Sequence, residues 1–343
     1  MLGLKGIHSF ATDPKESKYE PKKYLEHVLI TQMLSAWWWK KINGPIVLYT
    51  TKHDAEFLDG LKLLDFYDEV NTEVLSRDEG ISWTEFGPAV KMRAAADQTT
   101  FPFATIDNDL VFRAVLGSND LNSDLTILHR EVFLNRAYPP VEHLGKREGY
   151  QFPNFLSQKV DPINVGFVIW TTPQILRDYW TLAQDYMKGN LGESKSFDWT
   201  ADTPTLPKFW KSLFVEQRLL SALCEKDNYF VNTMFPLRYS GDIEIWLDSN
   251  GKRKDFNQTQ QEMNLDFYHL WGEKSTYYRL NPPVCGGNQI KTLYLLIKEA
   301  DRLGDDKMKA ALDEIILFTI QKTHALNLGD FYELRTASKY LLK

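Results

Sequence analysis

Cysteine is scarce in this 343-residue chain. Cys224 and Cys285 alone occur, too few for a disulfide scaffold and no basis for a metal site, and the scarcity fits a reducing compartment. Long apolar runs are missing too. No stretch approaches the roughly 20 apolar residues of a membrane span, and Met1 to His8 lack the apolar core of a signal peptide. Positive charge is not in excess: 40 Lys and Arg stand against 46 Asp and Glu, a net charge of −6. That balance argues against nonspecific nucleic-acid binding, because a phosphate backbone is gripped by clustered cations. Internal repeats and low-complexity tracts are also lacking. Together these absences predict a cytoplasmic globular protein, long enough to bury a substantial core in one large α/β domain or two modest ones.

Aromatic residues are what the chain has in quantity, with 16 Tyr, 10 Trp and 20 Phe. Flat rings suit sugars, but they serve equally as core filler. Trp37, Trp38 and Trp39, followed by Lys40 and Lys41, would suit a helix end resting on the inner face of a membrane. Three consecutive residues point around most of a helix, so core packing with one exposed Trp is the competing arrangement.

Strand and helix patterns alternate through the first half. Lys5 to Phe10 reads as a first strand, ended by the turn-prone Ala11-Thr12-Asp13-Pro14. From Pro21, Leu25, Val28, Leu29, Met33, Ala36 and Trp37 recur at helical spacing up to Gly44. Pro45 to Thr50 is an apolar run of the kind found in a strand covered on both faces. Helices over Ala55–Leu64 and Pro88–Ala96 and strands over Glu69–Val74 and Phe101–Ile106 continue the alternation, which predicts a mostly parallel sheet wrapped by helices. Further on, Leu125–Arg130 and Asn164–Trp170 read as strands, and Thr172–Lys188 and Pro207–Lys226 as helices. Gly189–Pro207 reads as a loop, and Ser249–Lys252 as a hairpin turn. From Gln289 the pattern is helical. These features divide the chain into an α/β unit over 1–285, with halves 1–115 and 116–285, and a helical C-terminal extension over 286–343.

The strongest chemical signal is Phe103–Phe112, an apolar strand running into Asp107-Asn108-Asp109. Asp-x-Asp is common by chance, so its position carries the weight. The carboxyl end of a buried strand in an open α/β sheet is where ligands bind. Two carboxylates presented there repel each other, and a divalent cation relieves that repulsion while leaving positions for phosphate oxygens. A turn in which the Asp side chains bond nearby backbone N–H groups is the alternative.

The chain here resembles the nucleotide-diphospho-sugar glycosyltransferases of the GT-A fold, in which an Asp-x-Asp after a hydrophobic strand holds Mn²⁺ or Mg²⁺ on the donor diphosphate. Asn164-Val-Gly-Phe-Val-Ile-Trp170 is similar to the Asn-x-Gly strand of many of these enzymes. His269-Leu-Trp-Gly272-Glu-Lys274 is similar to the His-x-x-Gly-x-Lys element of the glycogenin and lipooligosaccharide galactosyltransferase group; capsular polysaccharide transferases are further relatives. The spacing has its own rationale, since an imidazole can complete a metal's coordination, Gly272 lets backbone approach a diphosphate, and Lys274 brings positive charge to the leaving phosphate. Glu216-Gln217 loosely resembles the Asp-Gln pair near the acceptor, with Glu in place of Asp. The Pro-Trp that often follows the Lys is replaced by Ser275-Thr276.

The resemblance implies a metal-dependent hexosyltransferase moving sugar from a nucleotide sugar, a UDP-sugar by analogy, to a sugar-containing glycan, lipid or protein acceptor. It implies Asp107, Asp109 and His269 at the metal. The donor would meet His8, Ser9, Phe10, Thr50, Lys91, Asp107, Gly272 and Lys274, and Asn164, Glu216 or Asp161 would face the sugar or acceptor. Two rival functions are a metal-dependent phosphoester hydrolase, which would use the same acidic pair, and a noncatalytic carbohydrate-binding protein on a degenerate transferase fold, whose contacts the aromatics would form and against which the intact acidic pair argues.

Overall fold

A computed structural model describes residues 2–11, 26–77, 79–83, 85–133, 138–157, 159–190, 207–240, 245–255, 267–269 and 297–324. Its centre is a seven-stranded sheet built from β1 (Lys5–Phe10), β2 (Ile46–Thr50), β3 (Glu69–Asn71), β4 (Phe103–Ile106), β6 (Leu125–Ile127), β8 (Phe167–Trp170) and β9 (Val231–Thr233), in the order β3-β2-β1-β4-β8-β6-β9. Every neighbouring pair is parallel except those made by β8, which runs antiparallel to β4 and β6. This is the mostly parallel sheet flanked by helices that the strand–helix alternation predicts.

Alternation along each strand sorts side chains into two cores. Ile46, Leu48, Ala104, Ile106, Phe167 and Ile169 face a layer containing α1 (Glu26–Ile42), the helical segment 297–303 and a helix we call α7 (Asp306–His324). Ile7, Val47, Tyr49, Phe103, Val168 and Trp170 face the opposite layer, formed by α3 (Ala89–Ala96), α4 (Pro173–Met187) and α6 (Leu219–Lys226). The C-terminal helices are therefore part of a core, not an appendage to it: Ile297, Ala300, Met308, Ala311 and Ile315 are buried with Leu29, Met33 and Ala36 of α1.

The Trp run finds its place in this layer. Trp39 is fully buried and lies over Gly6, where a Cβ would come within 2.5 Å of the indole nitrogen. Only glycine admits that approach of ring to strand. Trp37 donates from Nε1 to Asp305 Oδ2 at 3.0 Å, tying α1 to the start of α7. Trp37 and Trp38 are each half-buried.

A four-stranded sheet was not foreseen as such. β7 (Arg130–Glu131), β10 (Arg238–Ser240), β11 (Ile245–Leu247) and β12 (Arg253–Lys254) assemble in the order β12-β11-β10-β7, with the predicted turn at Ser249–Lys252 joining β11 to β12. A further pair forms between β5 (Leu110–Phe112) and β13 (Phe267–His269). The expected loop over Gly189–Pro207 falls almost wholly outside the described residues.

Candidate active site at the end of β4

The carboxyl ends of β1, β2 and β4 lie side by side because the three strands are parallel neighbours, with Phe10 opposite Thr50 and Ile7 opposite Thr105. β4 is buried throughout and stops at Ile106, so Asp107, Asn108 and Asp109 form the turn between it and β5. The Asp107 N–H donates to Gly166 O at 2.7 Å, and the Leu110 N–H closes the turn on Asp107 O at 3.0 Å. Asn108 donates from Nδ2 to Ser9 O at 2.8 Å, which fastens the acidic turn to the tip of β1. Asp109 is buried, with 3% of its surface exposed.

The ladder between β5 and β13 is antiparallel and sets His269 opposite Leu110, the residue after Asp109. Two distant parts of the sequence thus meet beside the acidic pair. The side chain of His269, together with Gly272 and Lys274, lies outside the described residues. Among the described side chains, no three of His, Cys, Asp and Glu gather as a metal centre.

Lys91 reaches the same place from α3. Its Nζ donates to Asp107 Oδ1 at 2.5 Å and to Val165 O at 2.9 Å, and pairs with Glu216 Oε1 at 2.8 Å. Burial works to lower the pKa of this ammonium, but the carboxylates of Asp107 and Glu216 outweigh it and hold the pKa above its ordinary value. The charge on Lys91 is therefore permanent at physiological pH. A solvated surface lysine, the expectation for a long cation on a helix, is not what forms here.

Glu216 is delivered by a deviation from α-helical geometry. The predicted helix Pro207–Lys226 is continuous in direction but contains a π-turn over Phe214–Arg218, between α5 (Pro207–Leu213) and α6. Such single turns carry an extra residue and recur at functional sites. Their loosened carbonyls find side-chain donors here. Tyr179 Oη donates to Val215 O at 2.9 Å and Glu216 O at 3.0 Å, while Ser221 Oγ donates to Gln217 O at 2.8 Å. Gln217 Oε1 accepts from the hydroxyl of Tyr138. Arg218 donates to Pro139 O and to Leu156 O and lies over the ring of Phe133. Burial is the larger influence on that guanidinium and lowers its pKa to about 10, against a smaller opposing pull from Glu142.

The Asn-x-Gly element enters β8 next to this cluster. Asn164 Nδ2 donates to Glu131 Oε1 at 2.8 Å, and Asn164 Oδ1 accepts from the Gly166 N–H at 3.0 Å. Both ends of the carboxamide are thus engaged inside the protein. Asn164 holds the turn whose Val165 and Gly166 carbonyls receive Lys91 and Asp107.

Other expected residues are held by groups other than Lys91, Asp107 and Glu216. His8 is fully buried, with Nδ1 against Tyr67 Oη at 2.8 Å and Nε2 against Ser35 Oγ at 3.0 Å. Gln32 Nε2 donates to the same Tyr67 oxygen at 2.9 Å, so imidazole, phenol, hydroxyl and carboxamide form one buried polar network. Asp161 braces the small sheet: Oδ2 pairs with Arg238 at 2.8 Å and Oδ1 accepts from the Phe133 N–H at 3.1 Å. Ser9 lends its carbonyl to Asn108, Phe10 packs half-buried against the α1 core, and Thr50 is fully buried. Sequence reasoning passed over Asn108, although it lies inside the motif. Glu131 and Tyr179 carried no local signal, since their partners lie 33 to 37 positions away.

No protein-family model matches the chain, and no curated protein matches it. Solved structures similar to it include HddC from Yersinia pseudotuberculosis, 13% identical over 57% of this chain and 87% of that one, with a TM-score of 0.30. Mouse xyloside xylosyltransferase 1 in its apo form is 10% identical over 67% of this chain and 84% of that one, at 0.33. The inositol-1-phosphate CTP transferase of T. maritima is 12% identical over 68% and 85%, at 0.32. At these scores the functional reading rests on the residues of the site.

Proposed function

We propose that the chain is a glycosyltransferase using a nucleoside-diphosphate sugar, with a divalent cation at Asp107 and Asp109. The observation that carries this reading is the convergence, at the carboxyl end of a mostly parallel sheet, of the two aspartates, the Lys91 ammonium and the strand bearing His269. Carboxylate oxygens are the hard donors that Mn²⁺ and Mg²⁺ prefer, and an imidazole from β13 would complete the set. Such a cation, when bound, neutralises charge on a departing diphosphate.

The protein's own groups supply the rest. Lys91 places a fixed positive charge where phosphate oxygens would lie against the acidic turn. Asn108 and the tip of β1 shape the floor beside the nucleoside. Glu216 faces the site with its carboxylate paired to Lys91, which suits it to hold that ammonium and the acceptor side of the crevice, and less to take a proton. The acceptor would enter on the side of the π-turn, opposite the tips of β1 and β2.

The test is ligand-dependent stabilisation. UDP with Mn²⁺ should raise the melting temperature by several degrees, and UDP with EDTA should not. Asp109→Asn should remove the metal-dependent part of the shift and cut metal-dependent hydrolysis of UDP-sugars about 100-fold or more. A metal-independent shift, or an unchanged Asp109→Asn enzyme, would sink the reading. Release of phosphate from generic phosphoesters, without sugar release from nucleotide sugars, would favour the hydrolase instead.

A further inference from the structure

Lys91 is held by three acceptors. Its ammonium has three donors, and each meets an acceptor from a different part of the chain: the end of β4, the π-turn and the Asn164–Gly166 turn. The side chain is 12% exposed, so the charge is poorly screened and cannot swing aside without leaving two carboxylates uncompensated.

A bare divalent cation approaching Asp107 meets a carboxylate already paired and a fixed positive charge against it. A diphosphate meets the same ammonium with the opposite sign. The two halves of a metal–nucleotide complex therefore feel Lys91 in opposite directions.

We propose that Lys91 makes the acidic turn discriminate between a cation carried on a nucleoside diphosphate and the free ion, weakening the second and strengthening the first. The proposal rests on the reading of the site as a metal–diphosphate site. In this role Lys91 keeps the crevice from filling with bare cation, and metal and donor arrive together.

Calorimetric titration of the full chain with Mn²⁺ alone, and with UDP at saturating Mn²⁺, tests it. For Lys91→Gln the Kd for Mn²⁺ alone should fall about tenfold, while the Kd for UDP in Mn²⁺ should rise about tenfold. Lys91→Arg, which keeps the charge, should leave both within about twofold of the parent. Because Lys91→Gln strands two carboxylates, the double variant Lys91→Gln/Glu216→Gln serves as the control for folding. It removes one charge of each sign, and because the ammonium touches Asp107 directly while Glu216 pairs only with the ammonium, the same opposed shifts, reduced to about threefold, are expected of it. Shifts in the same direction, or an unchanged Kd for Mn²⁺ in both variants, would overturn the inference and leave the transferase reading standing. A parent protein that binds neither Mn²⁺ nor UDP would remove the transferase reading and the inference with it.

Discussion

At the residue scale, His8 shows how far environment can move a familiar group. Burial lowers its pKa from 6.5 to about 3, so the folded protein keeps it neutral where the unfolded chain protonates. Between those values the unfolded state binds the extra proton. Stability present above pH 6.5 is therefore lost as the pH falls toward 3, at up to about 1.4 kcal/mol per pH unit from this residue. Urea midpoints at pH 7.5 and pH 5.0 should drop further for the parent than for His8→Gln; equal drops would show that the imidazole is not held neutral. The sequence placed His8 on the right strand, near its carboxyl end. It could not show that an even-numbered position on β1 turns toward α1, where Ser35, Gln32 and Tyr67 enclose it. Asp107 and Asp109 were legible because both the motif and the strand before it are local. The pairing of Lys91 with Glu216 joins positions far apart in the chain, and only the assembled sheet reveals it.

At the element scale, the π-turn at Phe214–Arg218 is the feature on which the placement of Glu216 depends. Apolar periodicity marked Pro207–Lys226 as one helix, and one extra residue shifts that pattern too little to be read. Tyr179 is the main support, since its hydroxyl serves two carbonyls that the α-helical pattern would have used. Tyr179→Phe should cost about 1–3 kcal/mol, because buried carbonyls lose their donor while the ring is kept. Chemical denaturation measures it. A loss below about 0.5 kcal/mol would mean that the turn is held by other means. β4 and β8 were readable as apolar runs. β7, β10 and β12 were not, because two- or three-residue strands carry no alternation and take their definition from their neighbours.

At the scale of the whole molecule, two cores share one sheet, and the C-terminal helices belong to the first of them. The close approach of Trp39 to Gly6 is the joint in that layer. Gly6→Ala forces the indole away from the strand and should destabilise by about 1–3 kcal/mol, the usual cost of overfilling a packed interior. A urea midpoint unchanged by the substitution would show slack at that joint. The helical pattern after Gln289 was visible in the sequence, but the burial of its described part, 297–324, against α1 was not, since amphipathic faces do not name their partners. The reversal of β8 has its own consequence for how the molecule tolerates change. Because Phe103 pairs with Trp170 and Ile106 with Phe167, the chain passes the end of β4 on its way into β8 and departs at the far rim of the sheet. Added length just before β8 would disturb the rim that carries the acidic turn, whereas Thr99 and Thr100, both exposed ahead of β4, lie at a permissive seam for grafted sequence.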